Sequence, residues 1–169
     1  VKRAIHLFPD FVLGSDVHKV RERYDPLADK IPPHITLVFP FTDEISDDDL
    51  SAHVRSVARK YGRFKISFES MDLIDSNRLW LIVDEENDLI SRIHDDLYSG
   101  CLSRHLLPGM PYRPHVTLGV LPEAERAGFW EEMGGFSLEQ EYEIERLVIE
   151  RISPDGHSIL IDTVELTGT

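Results

Sequence analysis

The chain has one cysteine, Cys101, among its 169 residues. An intrachain disulfide is therefore impossible, and the fold must be held by a buried core rather than by cross-links. The N-terminal stretch VKRAIHLFPD has two basic residues but no apolar run of the signal-peptide kind. The two features together set the expectation of a reducing, cytoplasmic setting. Long apolar runs are missing too. Nothing approaches the roughly 18 to 20 residues of a bilayer span, so no membrane partner is expected. Basic residues are scarce: 18 Lys and Arg against 31 Asp and Glu give a net charge of −13. That argues against a broad grip on duplex DNA, which needs a Lys/Arg-rich face. It leaves room for a small nucleotide or an RNA end held in a local pocket. Low-complexity tracts and linkers are absent. With 41% apolar and 29% charged residues, the chain reads as one folded domain, expected to be a monomer.

What is present is a regular order of elements. RAIHLF (3–8) has strand character. SDVHKVRERY (15–24) places Val17, Val20 and Tyr24 on one helical face. HITLVF (34–39) is β-branched and bounded by Pro33 and Pro40. Ser46 caps the next helix, with Asp47, Asp48 and Asp49 in its electropositive first turn and Gly62 at its C′ position. Strands are expected over 63–74 and 78–84, followed by a helix from Asn87 to about Gly100 and a loop over 103–112. After the strand HVTLGV comes a helix from Pro122 to about Met133. Two long strands, 141–153 and 157–166, are joined by the turn Pro154-Asp155-Gly156. The order strand, helix, strand, helix, strand occurs twice. The expectation is an α+β fold, a single bilobal domain over 1–169. Lobe one spans about 1–77 and lobe two about 78–169, pseudo-symmetric, with mainly antiparallel sheets lining a central cleft.

The repeat also has a local form. PHITL at 33–37 returns as PHVTL at 114–118, so His34 and His115 lie 81 residues apart. Side chains two apart on a strand share a face. His34 therefore projects with Thr36, and His115 with Thr117, while Ile35, Leu37 and Phe39, or Val116, Leu118 and Val120, point behind them. Gly119 is expected next on the projecting face. Packing accounts for the aliphatic positions but not for two polar residues repeated on one face. Imidazole exchanges protons near neutral pH, and two imidazoles can serve as base and acid on opposite sides of one centre. Two threonine hydroxyls can donate to non-bridging phosphate oxygens. No Cys, His or carboxylate ligand set accompanies the motif, so neither a metal nor another cofactor is expected.

Two His-x-Thr strands about eighty residues apart in a short chain resemble the two-histidine phosphoesterase superfamily. It includes bacterial 2′-5′ RNA ligase and RNA 2′,3′-cyclic phosphodiesterase proteins. The resemblance implies a bilobal fold and a substrate that is an RNA end or a small nucleotide. It also implies catalytic His34 and His115 and phosphate-contacting Thr36 and Thr117. Many members continue the second motif as Leu-Gly-Arg, whereas this chain has Val120 there. Arg113 is a candidate substitute and Tyr112 a candidate platform for a base. A nucleotide-binding module without turnover is the alternative that Val120 motivates. Among the other residues, His6, His18, His53 and His94 read as half-buried or boundary histidines, His157 as exposed, and His105 as a loop residue. Trp80 and Trp130 read as core, Asp47–Asp49 as a helix cap rather than a metal cluster, and Cys101 as a buried thiol closing a helical stripe.

Overall fold

The computed structural model describes residues 1–84, 88–139 and 141–169. Its elements run β1 (Lys2–Leu7), α1 (Asp16–Tyr24), β2 (Ile35–Thr42), α2 (Asp47–Ala58), β3 (Phe64–Ile74) and β4 (Arg78–Asp84). They continue as α3 (Leu89–Leu97), β5 (His115–Val120), α4 (Arg126–Glu132), β6 (Tyr142–Ile144), β7 (Arg146–Ile152) and β8 (Ser158–Glu165). The expected start of α3 at Asn87 lies outside the described residues. The fold is α+β and antiparallel at every strand pair, with strand order β6-β3-β4-β5-β2-β1-β7-β8.

The single strand expected over 141–153 is two strands. Tyr142–Ile144 pairs with β3 at one edge, and Arg146–Ile152 pairs with β1 near the other. Glu145 alone separates them. A flat sheet would hold these strands six places apart, so one connecting residue forces the sheet to curl on itself. The same exchange crosses the sequence boundary at 77/78. β3, from the first run of elements, pairs with β4 and β6 of the second, while β7 of the second run pairs with β1 of the first. The halves of the sheet are therefore interleaved in sequence.

The helices form where the periodicity placed them. Ser46 caps α2 by accepting the backbone N–H of Asp49 at 3.1 Å, and Asp47 pairs with Arg3 at 3.0 Å and Arg151 at 2.8 Å. The acidic run is thus a cap with ion-pair partners. Gly62 is not the left-handed residue expected after α2, which ends at Ala58 with Arg59 as C-cap. Gly62 instead lies against the C-terminal segment, where an added Cβ would sit 3.0 Å from the Gly168 carbonyl oxygen. The expected helix from Pro122 is a 3-10 turn, Glu123–Glu125, that runs into α4. The expected loop over 103–112 opens inside another 3-10 helix, Gly100–His105. That helix carries Cys101 off the α3 stripe, so its thiol side is exposed and not buried. Trp130 is also outside the core, at 42% exposure.

Both motif strands are bulged at the same place. His6 faces Thr36 while Ile5 faces Val38, and Trp80 faces Thr117 while Leu79 faces Gly119. Each jump inserts one extra residue just past the threonine and reverses the alternation beyond it. Phe39 and Val120 therefore do not point behind their histidines as strict alternation requires. Phe39 lines the cleft, and Val120 is 45% exposed. Gly119 likewise leaves the projecting face. It turns towards the C-terminal end of α1 at φ +139°, where an added Cβ would lie 2.3 Å from the Tyr24 carbonyl carbon and oxygen. Gly119→Ala is expected to destabilise the protein by about 2–4 kcal/mol through clash and backbone strain, read as a lower urea midpoint. An unchanged midpoint would show that α1 does not seat on the bulge.

Candidate active site

The two motif strands are neighbours at the middle of the sheet, joined by the pair Ile35 and Val116. Both side chains are fully buried. One step on either side of an antiparallel pair, His34 stands opposite Thr117 and Thr36 opposite His115. Four polar groups thus surround one apolar bridge on the opposite face of the sheet, related by a local two-fold axis. All four are half-buried. Among the described residues neither threonine hydroxyl has a protein partner, which leaves both free to donate to a ligand.

The imidazoles are fixed by the same device. His34 donates Nδ1–H to the Pro32 carbonyl at 2.8 Å, and His115 donates Nδ1–H to the Arg113 carbonyl at 2.7 Å. A carbonyl can only accept, so the proton sits on Nδ1 and Nε2 carries the lone pair; His115 is in the lining of the cleft described below and His34 is not. Pro33 and Pro114 explain why the sequence folds this way. Each fixes the backbone between the histidine and the carbonyl it binds. Burial pulls His34 from 6.5 down to about 3, and the neighbouring His6 adds repulsion while the Pro32 carbonyl works against both. Burial likewise brings His115 to about 4, with Arg113 carbonyl bonding opposed to it and Arg78 and Arg113 adding repulsion.

The residues beside the motif break the symmetry. His6 and Trp80 occupy equivalent places, facing Thr36 and Thr117. The His6 ring lies 4.5 Å from that of His34, and its Nδ1 bonds Glu150 at 2.6 Å, with both side chains buried. Trp80 stacks on His115 at 3.4 Å and 8°. Read from sequence as ordinary half-buried and core residues, both in fact frame the site. What they share in sequence is element order: each lies on the strand that opens its run of elements, 28 residues before His34 for His6 and 35 before His115 for Trp80.

A cleft of about 320 Å³ opens beside His115 and Thr117, with Thr36, Arg78 and Trp80 in its lining. Tyr112 also lines it. Its hydroxyl donates to the Thr36 carbonyl at 2.8 Å and its ring stacks on His94 at 3.8 Å, so one ring face is already covered. His94 is buried and not a boundary residue. The Arg113 side chain reaches the cleft but pairs with Asp72 at 3.3 Å, on a strand two removed from β5. His105 is held by Asp43 at 2.7 Å against Phe41, outside the cleft lining. Among the described residues no group of three or more His, Cys, Asp or Glu side chains is arranged to hold a metal ion.

Residues 9–155 match the family model of the 2′-5′ RNA ligase superfamily. The chain belongs to that superfamily. A protein of Geobacillus kaustophilus named as a candidate phosphoesterase is 32% identical over 137 residues, 79% of this chain and 78% of its own length. A similarly named protein of Bacillus licheniformis is 33% identical over 123 residues, 70% of each chain. The crystal structure of TT0787 of Thermus thermophilus superposes with a TM-score of 0.68 at 14% identity over 99% of both chains. E. coli LigT complexed with 3′-AMP gives 0.59 at 14% identity over 98% of both. These likenesses establish the fold, a curled and mainly antiparallel sheet with helices.

Two outcomes are expected. In the free protein both imidazoles stay neutral at about pH 5.5, and NMR should show neither titrating until lower pH. Unfolded histidines bind protons near 6.5 and these only near 3 and 4, so the unfolded state takes up more protons as pH falls. The stability the neutral rings contribute is complete above 6.5 and is lost on the way down to those values. Separately, Glu150→Ala leaves His6 buried without its partner and should cost about 3–5 kcal/mol, most of it recovered in the His6→Phe, Glu150→Leu double variant. Equal urea midpoints for the single variant and the wild type would contradict the buried pair.

Proposed function

We propose that the protein is a phosphoesterase that opens 2′,3′-cyclic phosphates, at RNA ends or on small nucleotides, by general acid–base catalysis from His34 and His115 without a metal ion. The observation that supports this reading is the Ile35–Val116 pairing, whose register sets His34 beside Thr117 and Thr36 beside His115, with both hydroxyls unpartnered among the described residues. Superfamily membership and the nucleotide in the LigT complex support it.

The chemistry follows from the placement. Thr36 and Thr117 donate to the non-bridging oxygens and hold the phosphorus between the rings. One imidazole takes a proton from water as its oxygen bonds to phosphorus. The other gives a proton to the ribose oxygen as its bond to phosphorus breaks, and a phosphate monoester remains. The free site carries two neutral rings, so one proton must arrive with the substrate. An anionic phosphate in the cleft favours an imidazolium beside it and offsets the burial that depresses both groups. With the 5′-hydroxyl of another RNA end in place of water, the same ring opening forms a bond from that oxygen to phosphorus, breaks the bond to the 3′ oxygen and leaves a 2′,5′ linkage. A binding module without turnover is the second reading, favoured by Val120 where a cation would help.

A panel of 2′,3′-cyclic nucleotides and cyclic-phosphate-ended RNA, assayed with EDTA present, separates these. Turnover should persist with chelator, and His34→Ala or His115→Ala should lower kcat by about 100- to 10,000-fold while the melting temperature changes little. Thr36→Val should raise KM about tenfold through one lost charge-assisted bond. The kcat optimum should lie at higher pH than that of kcat/KM, because bound phosphate raises the acid's pKa. Near-full turnover in either alanine variant ends the mechanism, and binding without product favours the module.

A further inference from the structure

A cation in the cleft would help it to receive a phosphate, and Val120 does not supply one. The bulge at Leu118–Gly119 returns the Val120 side chain to the cleft face, and the residue directly across from it on β4 is Arg78. Side chains paired across an antiparallel ladder point the same way. Arg78 is accordingly part of the cleft lining with His115, Thr117 and Trp80. Its guanidinium carbon lies 5.6 Å from the Trp80 ring centroid, and Trp80 stacks on His115. Trp80 is thus in contact with both the Arg78 guanidinium and the His115 imidazole.

We propose that Arg78 is the phosphate-binding cation of this cleft, supplying from β4 the charge that an arginine at position 120 would supply from β5. The inference rests on the phosphoesterase reading for its substrate, though the anion site can be tested without turnover. Arg78 is now paired with Asp75 at the exposed β3–β4 turn. Both partners are at least half exposed, and an ion pair of that kind is readily exchanged for a phosphate held by two further donors. Arg113 is the competing cation. It lies two residues before His115, and its guanidinium is drawn to Asp72 on β3, two strands from β5. The charge of Arg78 also outweighs that of Arg113 in depressing His115.

The test uses calorimetry with inorganic phosphate and a 3′-nucleoside monophosphate, beside steady-state kinetics on a 2′,3′-cyclic nucleotide. Arg78→Ala should weaken monophosphate binding at least tenfold and raise KM by a similar factor, with unchanged melting temperature. Arg113→Ala should lose less. Adding Val120→Arg to Arg78→Ala should restore most of the lost affinity, since it returns the charge to the facing position. Wild-type affinity in Arg78→Ala, a larger loss in Arg113→Ala, or a folded double variant with no recovery would each overturn the assignment. Arg78-dependent binding with no turnover would sink the phosphodiesterase reading alone. Turnover indifferent to Arg78 would sink the cation assignment alone. A wild type that neither binds phosphate nor turns over would sink both.

Discussion

The site depends on one contact, the pairing of Ile35 with Val116. It is the apolar pivot about which four polar side chains are arranged. Both residues are fully buried. A slip of one residue in either strand would exchange them for a histidine or threonine and bury an unpaired polar group. The register is therefore held by the core beneath the sheet rather than by anything in the cleft. Ile35 and Val116 form the ladder pair between these two strands.

Around the pivot the backbone is nearly two-fold symmetric and the chemistry is not. Both histidines donate Nδ1–H to the carbonyl two residues back. Both strands are bulged just past the threonine. The neighbours differ: a buried His6–Glu150 pair beside His34, an indole and a guanidinium beside His115. In the proposed reaction the symmetric geometry would set two equal groups on one phosphorus. Unequal surroundings let them hold different protonation states, which an acid and a base require.

The net charge of −13 and an anionic substrate are compatible because the positive charge is local. Many arginines are committed to carboxylates. Arg3 joins Asp43 and Asp47, Arg23 joins Glu125 and Glu132, and Arg63 joins Glu145 and Glu165. Among the described residues the cations at the cleft, Arg78 and Arg113, form ion pairs with carboxylates of the β3–β4 hairpin, Asp75 and Asp72. An acidic exterior disfavours long nucleic acid, while a short substrate meets mainly the cleft.

Much of this protein was legible in the sequence because the signals were local. Helix caps, the two His-x-Thr strands and their shared face follow from residue type and a period of two. The antiparallel α+β class follows from the order of elements. What failed was also local in cause but tertiary in origin. The bulges that turned Phe39, Gly119 and Val120 are imposed by partner strands, and the break at Glu145 by a sheet that had to curl. The sequence by itself determined which four polar side chains share one face of the two motif strands. Only the tertiary structure decided what surrounds them. His6, Glu150, Trp80 and Arg78 come from three strands that pair through backbone hydrogen bonds. Backbone bonding carries no residue code, so strand order and register were settled by how the whole core packed.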